Sequence, residues 1–361
     1  MPISPISQSQ SKILSNIAAI CALLVVAIHV PVDISRCGEG SAFGIWLLLF
    51  HEGFARAAVP MFFFVSGYLL AGHFGDKGWY RVAICKRIRT LLIPYITLNM
   101  AFLLCVILGK AIKAPADAYA TIRDWRYIVE ALGLVPWEHP INFVLWYLRC
   151  LLYFVLLSPI IKIIIGNKKF AFAAGGCMFC SAGIGLSFLM QGNGVLSNVN
   201  WSTNFDIYGL AVFTLGCAAR LHSYRLSIIN KVRLLKAVAG LFGVLAIYAI
   251  CASLSNPPRS VLILVKSMFI IPVCMLAIYK LATIFNIPSI IRRNTMPLFG
   301  FQIIILFVAG IVASMYGKSI LAQTIPMYIT IWGCVIAMCI VGGVIFRKLL
   351  PKVAAIIFGG R

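Results

Sequence analysis

The chain has 361 residues, of which 62% are hydrophobic and only 11% charged, and it carries a net charge of +22. Soluble domains run nearer 45–50% apolar and roughly 25% charged, so this composition excludes a soluble globular protein and points to an integral membrane protein. The basic excess would suit nucleic acid, but the charges sit in short loops between apolar runs, where membrane topology explains them better, and no nucleic-acid partner is expected.

A spanning helix needs roughly 20 mostly apolar residues. Ten stretches qualify: 13–32, 54–74, 91–109, 142–162, 170–190, 206–220, 237–254, 260–279, 296–316 and 325–346. The first is not a cleaved signal peptide, because Pro31 and Asp33 follow it rather than a small-residue cleavage site. Residues 42–53, "AFGIWLLLFHEG", read as a helix lying at the interface before the second span. With the N-terminus inside, the cytoplasmic segments hold 21 of the 31 basic residues and, of the nine acids, only Asp76. The expected fold is an all-α polytopic membrane protein of about ten transmembrane helices, N-in and C-in. One domain is expected over 1–361, with the motifs in 13–160, a helical scaffold over 161–346 and a short basic tail over 347–361. Residues 110–141 fall outside the membrane by this count.

Most cysteines lie inside apolar runs and read as small hydrophobes; the Cys177/Cys180 pair, in "FAFAAGGCMFCSAGIGLSFLM", reads as packing rather than redox chemistry. There is no metal-ligand spacing, internal repeat or nucleotide-binding glycine motif.

Charged side chains in spans cost about 2.5–3.5 kcal/mol each at mid-helix, which makes polar positions there candidate sites. His29 lies near the outer end of the first span, in "ALLVVAIHVPV". An imidazole there is a candidate general base or nucleophile, or simply a histidine bonded to a neighbouring helix. In "HEGFARAAVPMFFFVSGYLLAG", Glu52 and Arg56 are four apart and suit an ion pair on one helix face. Pro60 can kink that helix, and Ser66 and Gly67 allow close packing against another. In "RVAICKRIRTLLIPY", Lys86 and Arg89 face the same way with Arg87 beside them. Such a cluster at the inner mouth suits lipid phosphates or the phosphates of a cytosolic cofactor. In "FVLWYLRCLLYFVLLSPI", Arg149 lies within the span and needs a partner, while Trp146 and Tyr147 suit an interfacial belt or a platform for a sugar ring. The second half offers Asp206 and Lys266 and little else, so the later spans read as scaffold.

Taken together these stretches resemble the acyltransferase 3 family of membrane acyltransferases. That family has about ten spans, a first helix ending in His, a second of the form VPxFFxxSGY, a basic RxxR before LLxPY, and a later LWFLR. This chain has "LLVVAIHV", "VPMFFFVSGYLL", "KRIRTLLIPY" and "LWYLRCLLYFVLLSPI" in that order within its first 160 residues; the remainder matches only as apolar spans. The resemblance implies transfer of an acyl group, usually acetyl, from cytosolic acyl-CoA to a hydroxyl on an extracytoplasmic or lipid-linked glycan, in a bacterial inner membrane. It makes His29 the catalytic histidine and puts Lys86 and Arg89 on the RxxR positions, where lysine loses the bidentate fork of arginine. Acyl-CoA enters as the donor substrate, with no bound cofactor or metal.

Acyl transfer to a sugar hydroxyl needs a base for the proton and a thioester within reach. His29 supplies the base or carries the acyl group itself. Arg56 or Arg149 suits the developing oxyanion; Glu52 orients the base or binds sugar hydroxyls. The expected catalytic set is His29, Glu52 and Arg56; the donor set is Lys86, Arg87 and Arg89; the acceptor set is Ser66, Tyr68, Trp146, Tyr147 and Arg149. One departure stands out. The family usually has Arg or Lys eleven residues before the histidine, where this chain has Ala18. That position lies on the histidine's face about 16 Å toward the cytoplasm, too far to touch the imidazole. Ser11 and Ser15 are nearest to that face and Lys12 is about 100° away. Either another residue substitutes, which is the expectation here, or donor use has changed, or activity is lost. The rival reading is a transporter or flippase that uses the same polar residues as a path; it lacks the paired broken helices such proteins often show.

Overall fold

A computed structural model describes residues 5–33, 41–135, 139–167, 171, 176, 207–222, 234–253 and 265–358. The regular structure of these residues is helical, joined by turns and irregular segments, with one isolated bridge between Val32 and Ala322 and no strand among them. In chain order the helices are α1 (Gln8–Ala27), α2 (Ala42–Ala71), α3 (Trp79–Ile112), α4 (Pro115–Arg123), α5 (Trp125–Ala131), α6 (Phe143–Leu156) and α7 (Ser158–Ile164). They continue as α8 (Ile207–Leu221), α9 (Leu234–Ser253), α10 (Lys266–Ile284), α11 (Ser289–Arg293), α12 (Thr295–Met315), α13 (Ile325–Leu349) and α14 (Pro351–Ile357).

Six of these, α1, α2, α3, α10, α12 and α13, are long and apolar enough to cross a membrane, and the bent pair α6–α7 makes a seventh if it is one span. The protein is thus a polytopic helical membrane protein, but the described residues do not carry all ten expected spans. The span expected over 206–220 is α8, a 15-residue helix of about 22 Å, short of a hydrocarbon core of roughly 30 Å. The expected span over 237–254 falls on α9, a helix of 20 residues that begins at Leu234 and is described as far as Ser253. Apart from Ala171 and Gly176, the expected span over 170–190 lies outside the described residues, and Cys177 and Cys180 with it.

Residues 42–53 are not a separate interfacial helix. They run into the second span as one helix of 30 residues. Pro60 has no N–H and its ring presses on the carbonyl of Arg56. The helix absorbs this upstream, in wide turns over Leu47–Phe54 and a tight turn over Ala55–Ala57. At α6–α7 the proline response differs: the axis bends by 59°. Pro159 cannot donate to the Val155 carbonyl, and Ser158 Oγ donates to it instead at 2.6 Å.

α1 lies at the centre of the bundle, against α2, α10, α12 and α13. Ser7 and Gln10 cap its start reciprocally. Side chains of other helices then hold it along its length. Asn16 donates to the carbonyls of Ala282 and Phe285 at 3.0 Å each, and Trp332 Nε1 donates to Leu23 O at 2.9 Å. α2 and α8 cross with backbones almost touching. A Cβ at Gly67 would collide with the Phe213 carbonyl, and one at Gly216 with the Phe64 carbonyl. Cys217 Sγ donates to Gly67 O at 3.3 Å across this crossing.

Candidate active site

His29 follows the end of α1 on a stiff turn. Its own N–H reaches Val26 O at 3.2 Å, and Val30 N reaches Ala27 O at 3.1 Å. Beyond the turn, Ala322 N donates to Pro31 O at 2.9 Å and Asp33 N to Ala322 O at 3.0 Å, which pins the exit to the start of α13. His29 Nδ1 lies 2.7 Å from the Val25 carbonyl. A carbonyl only accepts, so Nδ1 carries the proton and Nε2 keeps its lone pair. The ring leans on Phe143, with centroids 5.3 Å apart.

The imidazole borders a cavity of about 610 Å³ that His51, Arg56, His139, Phe143 and Trp146 also line. His51 and Arg56 come from α2; the other three come from α6 and the segment before it. The buried Tyr328 ties this wall to α1: its hydroxyl donates to Ala27 O at 2.7 Å and lies 3.2 Å from His51 Nδ1. Having given its proton to Ala27, the hydroxyl accepts from His51 Nδ1–H. Tyr328→Phe keeps the ring but strands the His51 Nδ1–H, and it leaves the Ala27 carbonyl with Val30 N alone. It is expected to cost about 1–3 kcal/mol, read as a lower melting temperature in detergent.

Glu52 does not line the cavity. One oxygen, Oε1, lies 2.7 Å from Arg56 Nη2 and 3.5 Å from His51 Nε2; the other lies 2.8 Å from Lys266 Nζ on α10. It therefore holds Arg56 rather than His29. Arg149 is buried and donates to the carbonyls of Gly133 and Val135, both at 3.3 Å. Tyr95 Oη also donates to Gly133 O, at 3.1 Å, so Arg149 serves the turn after α5 and is not in the cavity wall. Of the expected aromatic pair, Trp146 lines the cavity, while Tyr147 lies against Phe62 and Phe299, with centroids 5.8 and 4.8 Å away. Ser66 and Tyr68 sit about 15 Å or more further along α2 than Arg56. Tyr68 is buried under the Arg220 guanidinium, 5.2 Å from its ring centre.

The basic cluster lies at the opposite end of α2 and α3. Lys86 and Arg89 share a cavity of about 580 Å³ with Thr90 and with Ala355 and Ile356 of α14. Arg87 turns to a second cavity of about 900 Å³, which Lys86 also lines together with His73, Lys77, Trp79 and Arg220. From His51 on α2 to Gly72, the residue that caps its end, the chain climbs about 31 Å between the two cavities. That matches the hydrocarbon thickness of a bilayer, roughly 30 Å. Near the position of Ala18, Lys12, Ser11 and Ser15 line a further cavity of about 630 Å³ with Arg292 of α11.

The sequence reading missed His51, His139, Tyr328 and Arg220, and saw Lys266 only as an isolated charge. His51 had a signal, since it adjoins Glu52. Lys266 and Tyr328 had none, because their partners lie 214 and 277 residues away.

A curated relative, the succinoglycan biosynthesis protein ExoH of Rhizobium meliloti (strain 1021), is 28% identical over 153 residues, which are 40% of this chain and 40% of that protein. The matched segment thus spans well under half of that relative's length. No solved structure matches the chain. The acyltransferase domain family matches residues 16–348, from the third turn of α1 to the end of α13, and the chain therefore belongs to that family of acyltransferases.

Proposed function

We propose that the protein transfers an acetyl group from cytosolic acetyl-CoA to a hydroxyl of a cell-surface or lipid-linked glycan, in a bacterial inner membrane. The observation that carries this reading is the pairing of two ends. A histidine with an open Nε2 borders a cavity beside Arg56, and a basic cavity lies about one bilayer thickness away. Family membership supplies the acyl transfer, and the relative's name, a protein of succinoglycan biosynthesis, supports a glycan acceptor.

In this mechanism the acceptor hydroxyl gives its proton to His29 Nε2 as its oxygen attacks the thioester carbonyl. The oxyanion faces the Arg56 guanidinium. The C–S bond then breaks, and the leaving thiolate takes the proton back from the imidazolium. A two-step route, with the acyl group passing through Nε2, uses the same groups. Trp146 and Phe143 offer apolar faces to a sugar ring. Lys86, Arg87 and Arg89, with Lys77 and Arg220 nearby, suit the phosphates of the donor.

The test is release of CoA thiol from acetyl-CoA by purified protein in nanodiscs, with and without the host's surface-glycan extract. Acceptor-dependent release is expected. Movement of glycan across the membrane with no thiol release would favour the transport reading. In the same assay Lys86→Ala and Arg89→Ala are each expected to raise the KM for acetyl-CoA about tenfold or more with kcat little changed, because each removes a charge-assisted contact.

A further inference from the structure

The Glu52 carboxylate is shared between two cations that come from different halves of the chain. Arg56, on α2, lines the His29 cavity, and its side chain is 42% exposed. Lys266, on α10, sits deeper, with a side chain 21% exposed, and does not line that cavity. Each cation holds its own carboxylate oxygen: Oε1 for Arg56 at 2.7 Å, Oε2 for Lys266 at 2.8 Å. The three side chains together carry one net positive charge. Without Lys266, Arg56 and Glu52 would form a neutral pair, whose field at the cavity falls off as that of a dipole. The second oxygen would also be released to swing toward the guanidinium and draw it off the cavity wall.

We propose that Lys266 is a positioning residue that cancels Glu52 from behind, so that Arg56 presents an uncompensated positive charge to the acyl group beside His29. This rests on the acyl-transfer reading above, and it gives the second half of the chain a part in the chemistry rather than in the scaffold alone. The effect belongs to the transition state, where negative charge develops on the carbonyl oxygen.

Thiol release from acetyl-CoA, with host surface-glycan extract as acceptor, separates the possibilities in purified protein of wild type and four variants. Lys266→Met is expected to lower kcat about 10- to 100-fold with the KM for acetyl-CoA within about twofold, and Lys266→Arg to retain most of the rate. The decisive variant is the double Glu52→Gln/Lys266→Met. Glutamine still accepts from Arg56 but carries no charge, so the double variant regains the net charge of +1 and is expected to recover at least about tenfold in kcat over Lys266→Met. A Lys266 that merely ties α10 to α2 gives the opposite result, because the double variant still lacks the tie. A Lys266→Met enzyme at the wild-type rate, or a double variant no faster than Lys266→Met, overturns the proposal. His29→Ala, run alongside, distinguishes the two levels. If it is inactive while Lys266→Met is normal, only the role of Lys266 falls. If it remains active, or if the wild type releases no thiol, the acyl-transfer reading falls and this proposal with it.

Discussion

Replacing His29 by alanine is expected to abolish acyl transfer while leaving the protein folded. The rate loss should be at least about 10²–10⁴-fold, the usual worth of a positioned general base, and larger still if the imidazole carries the acyl group. The fold should survive because little structure depends on this side chain. Alanine removes the bond from Nδ1 to Val25 O and the contact with Phe143, a net cost of about 1 kcal/mol. The turn itself is held by backbone bonds at Val26, Ala27, Pro31 and Ala322, which alanine leaves in place. The check is paired: thiol release for activity, and size-exclusion profile with detergent melting temperature for the fold. A folded His29→Ala protein that keeps more than a few per cent of the rate would remove His29 from the chemistry.

The largest effect on the fold is expected at the crossing of α2 and α8. Gly67→Ala and Gly216→Ala each place a methyl group against a backbone carbonyl, of Phe213 and Phe64 respectively. Neither carbonyl can rotate away without breaking its own helix, so the two helices must separate. Separation also loosens the bond from Cys217 Sγ to Gly67 O and the aromatic packing of Phe154 on Phe63 and Phe213. Overpacking costs about 1–3 kcal/mol in side-chain cores, and a backbone obstacle puts these sites at or above the upper end. Both variants should show sharply reduced folded yield and melting temperature. Gly333→Ala is the matched control, since a Cβ there meets open space on α13. It should be neutral or gain up to about 1 kcal/mol in helix propensity. Equal yields for all three variants would contradict the close crossing.

What was legible in the sequence follows from the range over which its signals act. Apolar runs are local, so the all-helical membrane class and the apolar cores of α1, α2, α3, α10, α12 and α13 could be read directly, while the continuity of 42–53 with α2 and the start of α3 at Trp79 could not. Pairs within one helix are local too: Glu52 and Arg56, four apart, do meet, and Gly67 does sit at a close crossing. The effect of a proline was less legible. Pro60 left α2 continuous while Pro159 bent α6–α7 by 59°, because the response depends on which neighbouring groups can take over the lost bond. Pairs between helices carry no periodicity. Nothing in a lone Lys266 points to Glu52, and nothing in Tyr328 points to both Ala27 and His51. Arg149 is a charge inside a span whose need for a partner was legible, but nothing local showed that its guanidinium donates to the backbone carbonyls of Gly133 and Val135.

The central claim is that this membrane acyltransferase modifies a glycan through His29, and its most direct test is the O-acetyl content of the host's surface glycan, measured by NMR. A deletion strain, the deletion complemented with the wild-type gene, and the deletion complemented with His29→Ala at matched protein abundance form the comparison. Acetyl signals should vanish in the deletion, return with the wild type and stay absent with His29→Ala. A glycan that keeps its acetyl groups in the deletion, or regains them with His29→Ala, would contradict the claim.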